Sequence, residues 1–155
     1  MGDKPKYLYL LAMLWPLLSI IFFAWGAFSL FYVLEIPDWK YTEAENILVQ
    51  MMFFGTLLTT IVWFVFAFLF LSFSYGTLTV KKWVWTTGII FSTIFLAIFG
   101  LMLASLMVTA LMFLHYFSLL ALITVIIAFL IDLGIIYCIT RPSVKKYFAE
   151  RFLTN

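Results

Sequence analysis

The sequence predicts an all-α integral membrane protein: four transmembrane helices, both termini on the cytoplasmic side, and a short amphipathic basic helix at the C-terminus. Three observations predict it. Of the 155 residues 66% are apolar and only 10% charged, whereas ordinary soluble domains carry about 25% charged residues. The apolar residues gather into four stretches, at 7–34, 47–73, 83–114 and 119–139, separated by charged or polar breaks. The lysines and arginines then fall almost entirely on one side of a membrane crossed four times.

A bilayer core of about 30 Å needs about 20 helical residues, so each stretch crosses once and none crosses twice. The third is longer than a crossing requires and is expected to tilt or to project into the interface. Spans and short links use up the chain. A single four-helix domain over 1–155 is therefore expected, ending in a tail at 140–155, with no separate soluble domain. Lys4 and Lys6 precede a run longer than a secretion signal's core, which makes the first span an uncleaved anchor.

Alternating spans put Lys4, Lys6, Lys81, Lys82, Arg141, Lys145, Lys146 and Arg151 on one side and leave only Lys40 on the other. Short loops rich in Lys and Arg stay cytoplasmic, so both termini are predicted inside a multi-pass protein of the cell (plasma) membrane. The first external loop, Glu35 to Asn46, is acidic. The second, around His115 and Tyr116, is short enough to demand a tight hairpin. Tyr7, Tyr9, Tyr75, Trp83, Trp85 and Tyr137 near the inner face, with Tyr32, Trp39, Tyr41 and Tyr116 near the outer one, match interfacial belts.

Asp132 is the one formal charge that cannot be moved to a membrane surface. An ionised group at that depth costs at least a few kcal/mol, so the residue must be neutral, partnered or facing water. On a helical wheel Ala121, Thr124, Ala128, Asp132, Ile135 and Ile139 share a face; Ile126, Phe129, Leu130, Leu133 and Tyr137 take the other. Small residues let helices approach, so the Asp132 face is predicted to pack inward and the bulky face to meet lipid. Asp132 lies about 10 Å from the inner end of its helix at about 1.5 Å per residue. Ser92 and Thr93 of the third helix and Trp15 and Pro16 of the first fall in that layer.

Pro16 lacks an N–H and strips the Ala12 carbonyl of its helical partner. A protonated Asp132 could donate to that carbonyl or to Thr93, acting as interhelical glue. The other reading is a titrating carboxylate in a proton- or cation-coupled pathway, with Asp132, Thr93, Ser92 and Thr124 as the intramembrane polar site. Ala97, Gly100 and Ala104 form a small-x-x-x-small groove in the third helix, suited to close packing within the bundle or between protomers. The nineteen phenylalanines form no regular stripe and are expected to fill lipid-facing surface or a contact with another subunit.

Little points to catalysis. A lone cysteine, Cys138, excludes an internal disulfide or a thiolate cluster. His115 lacks a second histidine, cysteine or acid within reach, so no metal site is expected. No paired carboxylates, nucleophile with base, or phosphate-binding loop occurs, so neither enzymatic activity, a cofactor nor nucleic-acid binding is expected.

In the tail, Pro142 stops the fourth helix, Ser143 can cap a new one, and Val144, Tyr147, Phe148 and Phe152 make an apolar stripe. Lys145, Lys146 and Arg151 then face the anionic inner leaflet, where each contributes about 1 kcal/mol. The run Arg141-Pro-Ser-Val-Lys-Lys-Tyr-Phe148 resembles the R-P-x-V-K-x-Y-F ending of small multi-span prokaryotic membrane proteins of unassigned function. The resemblance covers eight residues and implies a prokaryotic source without implying an activity. The expected function is that of a non-enzymatic accessory or structural subunit of a larger membrane complex, or a self-associating bundle. The alternative is a small oligomeric channel or proton/cation-coupled transporter using Asp132.

Overall fold

The computed structural model describes residues 5–34, 43–112 and 119–153. They form five helices and no strand: α1 Lys6–Leu34, α2 Glu43–Leu78, α3 Lys82–Met112, α4 Leu119–Ile139 and α5 Pro142–Leu153. The first four contain segments long and apolar enough to cross a membrane, at Lys6–Phe31, Val49–Leu78, Lys82–Ala110 and Leu119–Ile139. Helix is what such sequences must form, because hydrocarbon offers backbone N–H and C=O groups no external partner. The chain is thus an all-α, multi-pass membrane protein. Residues 43–46 of the acidic first loop open α2 instead; the rest of that loop and the hairpin at His115 and Tyr116 lie outside the described residues.

Helix α2 extends past the expected end at 73. It ends inside the polar break at 77–82, where Thr77 satisfies its hydroxyl by donating to the Phe73 carbonyl at 2.7 Å. The helix closes with paired capping bonds, Lys81 N–H to Gly76 O at 2.8 Å and Val80 N–H to Thr77 O at 3.2 Å. That geometry needs a left-handed residue at the position usually held by glycine. Val80 takes it, with φ 54°, at a cost of about 1–2 kcal/mol. Its side chain offsets part of that cost by packing against Leu8, Val144 and Phe148. Gly76 is required at the same turn, because a Cβ there would overlap the Val84 side chain at the start of α3.

The described chain packs as two units. One consists of Ser19–Leu69, the C-terminal part of α1 and the N-terminal part of α2. Here Ser19 donates to the Ala67 carbonyl at 2.8 Å. Phe22 is fully buried against Trp25, Trp63 and Phe66 with ring centroids 5.3–5.8 Å apart. Gly26 lies under the Phe64 ring, 3.1 Å from the position a Cβ would take. Aromatic pairs of this kind add about 0.5–1.5 kcal/mol beyond their area.

The other unit holds the rest: the first part of α1 and, from Phe70 on, the end of α2 with α3, α4 and α5. Its core is Trp15, stacked on Phe70 at 5.7 Å and tilted on Phe73 at 4.8 Å. Phe91, Phe95 and Phe99, one turn apart on α3, continue the aromatic packing, with Phe95 5.2 Å from Phe70 and Phe91 5.7 Å from Phe73. Phenylalanines expected on lipid-facing surfaces are therefore partly spent inside. Phe22, Phe70, Phe73 and Phe99 are fully buried, while Phe28, Phe31, Phe54 and Phe68 are exposed.

Helix α5 starts two residues earlier than a Ser143 cap would give. Pro142 is its first residue, where a missing N–H costs nothing, and the Arg141 carbonyl accepts from Val144 and Lys145 N–H at 3.0 Å each. Val144 and Phe148 are buried together with Leu8 of α1, with Tyr7, Val80, Trp85 and Tyr147 around them. Val144 and Phe148 are thus engaged by protein. Lys145 and Lys146 stay exposed, Lys146 within 3.7 Å of Glu150; the Arg151 side chain lies outside the described residues.

Candidate functional site

The site is built on the rotation of α4. Its buried residues are Val125, Ala128, Asp132, Ile135, Cys138 and Ile139, while Ile126, Leu130, Leu133 and Tyr137 are exposed. Small and β-branched residues line the buried face, so neighbouring helices can come close. A Cβ on Gly134 would stand 3.3 Å from Leu14 Cδ1 of α1, and one on Gly88 of α3 would stand 3.0 Å from Ile139 Cδ1. Asp132 is carried into this contact and exposes none of its surface.

Its neighbours follow from the register of α3 and α4. Trp85 donates its indole N–H to the Ile139 carbonyl at 3.3 Å. Two turns onward along α3 and two turns back along α4 stand Ser92 and Asp132. The Ser92 hydroxyl is close enough to act on the Asp132 carboxyl, although the pair does not meet hydrogen-bond geometry. Trp15 approaches from α1: a Gly88 Cβ would meet its Cζ2 at 3.3 Å. Cζ2 is the ring carbon beside the one bonded to Nε1, and Gly88 lies one turn from Ser92, about 6 Å along the helix. Three helices therefore bring an indole N–H, a hydroxyl and a carboxyl into one layer.

All three groups are fully buried, and Trp15 Nε1, Ser92 Oγ and both Asp132 oxygens have no hydrogen-bond partner. Buried polar atoms are ordinarily paired, and each one left unpaired costs about 1–3 kcal/mol. So many in one layer is unusual for a group whose purpose is adhesion.

The partners expected for Asp132 are otherwise engaged. The Ala12 carbonyl that Pro16 frees accepts the Ser74 hydroxyl of α2 at 2.9 Å. Thr93 is exposed and donates to Ile89 O of its own helix at 2.8 Å; Thr124 does the same to Leu120 O at 2.7 Å. Of the residues named for the polar site, the fold brings Ser92 and Asp132 together and turns the Thr93 and Thr124 hydroxyls back on their own helices. Ala97 and Ala104 are exposed, and a Cβ on Gly100 would meet nothing within 4 Å. The groove therefore lies open, unfilled by the described helices.

Comparison of the chain with protein-family models, with curated proteins and with solved structures finds no match. Its site has to be understood from its own residues.

Two further features had weak signals in the sequence. Arg141, between α4 and α5, holds its guanidinium carbon 3.8 Å from the Tyr137 ring centroid and 5.3 Å from that of Tyr7. The two rings meet edge-on at 6.2 Å. Cation–π contacts of this kind contribute about 0.5–2 kcal/mol each; the four-residue spacing from Tyr137 to Arg141 was the available clue. Ser74 had none, because its partner exists only once α1 and α2 are packed.

The Ser74 bond yields a testable expectation. Ser74→Ala lowers stability by about 0.6–2 kcal/mol, the range of interhelical hydrogen bonds in membranes. In a Pro16→Ala background the Ala12 carbonyl regains a helical N–H, and the same Ser74 change costs close to nothing. Equal losses in both backgrounds, measured by denaturant unfolding in mild detergent, would refute the link.

Proposed function

We propose that the chain is a non-enzymatic protein of the cell membrane that works by assembly, as an accessory or structural subunit of a larger complex or as a self-associating bundle. The lysine and arginine distribution supports both termini lying in the cytoplasm. Exposed Lys145 and Lys146 on α5 suit contact with an anionic leaflet. The observation that carries the reading is the enclosure of Asp132. The single carboxylate deep in the spans presents no surface to a substrate, and the polar group that acts on it is the Ser92 hydroxyl. The open Ala97, Gly100 and Ala104 face of α3 adds a place where another helix could approach closely.

The test is extraction from the native membrane in mild detergent followed by sizing and identification of co-migrating chains. Co-migration with another membrane polypeptide, or with copies of itself, is expected; an isolated monomer would count against assembly.

The unpaired polar atoms around Asp132 favour a second reading, a small oligomeric channel or proton/cation-coupled transporter that uses this residue. Flux into proteoliposomes tests it: transport by the wild type that survives Asp132→Asn would remove its central residue.

A further inference from the structure

We infer that Asp132, Ser92 and Trp15 form a proton-binding site that exchanges with water only at the α5 end of the unit, binding a proton without passing it across. The inference rests on the second reading above in taking Asp132 as the working group, and it departs from that reading in predicting no transport.

The ligand class follows from the space and the donors. None of the three side chains exposes surface, so a ligand that enters without separating helices must be smaller than any molecule. A metal ion would need several oxygen ligands, and only one carboxylate and one hydroxyl converge here; among the described residues no group of three His, Cys, Asp or Glu comes together. A proton needs one carboxylate oxygen. Hydronium at the α5 end gives up a proton through intervening groups, its O–H bond breaks, and a new O–H bond forms on Asp132, which becomes neutral.

The neighbours suit both states. An ionised carboxylate can accept from the Ser92 hydroxyl and a neutral carboxyl can donate to the Ser92 oxygen, since a hydroxyl is both donor and acceptor, and the buried Trp15 N–H adds a donor beside this layer. Among the described residues no formal charge faces the group. α1 carries no charged residue after Lys6, α2 none after Glu45 and α3 none after Lys82. Tyr75 and Tyr137 are exposed. Cys138 is buried on α4 itself, Arg141 is held by Tyr7 and Tyr137, and α5 keeps Lys145, Lys146 and Glu150 exposed.

The sidedness comes from where polar groups are buried. In this unit the buried polar side chains besides Ser92 and Asp132 are Ser74 and Thr77, both toward the α2 terminus that adjoins α3 and α5. Trp85 Nε1 and Arg141 lie at that end too. In the opposite direction the buried residues of this unit include Leu18, Phe95, Phe99, Val125 and Ala128, all apolar, and the next buried hydroxyl along α1, Ser19, is spent on the Ala67 carbonyl at 2.8 Å.

The test is infrared difference spectroscopy on the full chain, reconstituted in one orientation in phospholipid vesicles, with pH stepped on one side at a time. A carboxylic C=O band is expected to rise and fall with pH on the α5 side only. It should vanish in Asp132→Asn, shift in frequency in Ser92→Ala, and be accompanied by no proton flux above that of protein-free vesicles. Ser92→Ala keeps the test informative if Asp132→Asn fails to fold. A band insensitive to pH, or one that persists in Asp132→Asn, overturns the site. A band that responds from the other side, or proton flux abolished by Asp132→Asn, overturns the one-sidedness and supports transport.

Discussion

Trp15→Ala should lower the stability of the protein in lipid or mild detergent by about 3 kcal/mol. In water a buried tryptophan removed to alanine costs about 3–5 kcal/mol, combining a transfer term with a cavity term. In a membrane much of the transfer term falls away, because hydrocarbon receives the side chain nearly as well as protein does. What remains is lost contact. Trp15 stacks on Phe70, tilts on Phe73 and lies against Gly88, so alanine leaves a void bordered by three helices with no side chain free to fill it. Trp15→Phe keeps a ring on Phe70 and Phe73 and should cost about half as much. Unfolding monitored in detergent and denaturant checks both. A loss below about 1 kcal/mol for the alanine variant would mean that α1 does not pack as described.

Phe148→Ala should release α5. Phe148 is fully buried with Leu8 and Val144, and α5 is a 12-residue helix, too short to persist in water without packing. Alanine is expected to remove about 3 kcal/mol at this contact, enough to detach the helix. Limited proteolysis should then cut within 142–153 while α1 to α4 stay intact. Lys145→Ala and Lys146→Ala, on the exposed side, should leave the cleavage rate near that of the wild type. Equal resistance of Phe148→Ala and the wild type would show that α5 is held by something other than this cluster.

How much of this was legible depended on whether a residue's partner was local. The four spans could be read because length and apolarity suffice in a bilayer. The inward turn of Asp132 could be read from Ala128, Ile135 and Ile139 sharing its face. The partners could not. The Ala12 carbonyl was recognisably free because of Pro16, but its donor is Ser74, a residue just past the second apolar stretch. Phe91, Phe95 and Phe99 do recur every fourth residue, a helical stripe present in the sequence and hidden among the other phenylalanines. The stripe of Val144 and Phe148 was visible too, yet a lipid surface and Leu8 satisfy it equally well by pattern alone. Thr93 and Ser92 are adjacent, so membrane depth could not separate them; helix rotation does, turning one hydroxyl toward Asp132 and the other outward.

The rotation of α4 carries the whole picture of the site, and it can be measured directly. Gly134 faces Leu14 closely enough that a Cβ would stand 3.3 Å from a leucine methyl, so cysteines at these two positions should lie within disulfide reach. In a Cys138→Ala chain carrying Leu14→Cys and Gly134→Cys, mild oxidation in the membrane should form an intramolecular disulfide quickly and nearly completely. A Leu14→Cys and Leu133→Cys chain, whose second cysteine sits on the exposed face of α4, should stay reduced. The reverse order would turn Asp132 away from α1 and α3 and leave the carboxyl facing lipid.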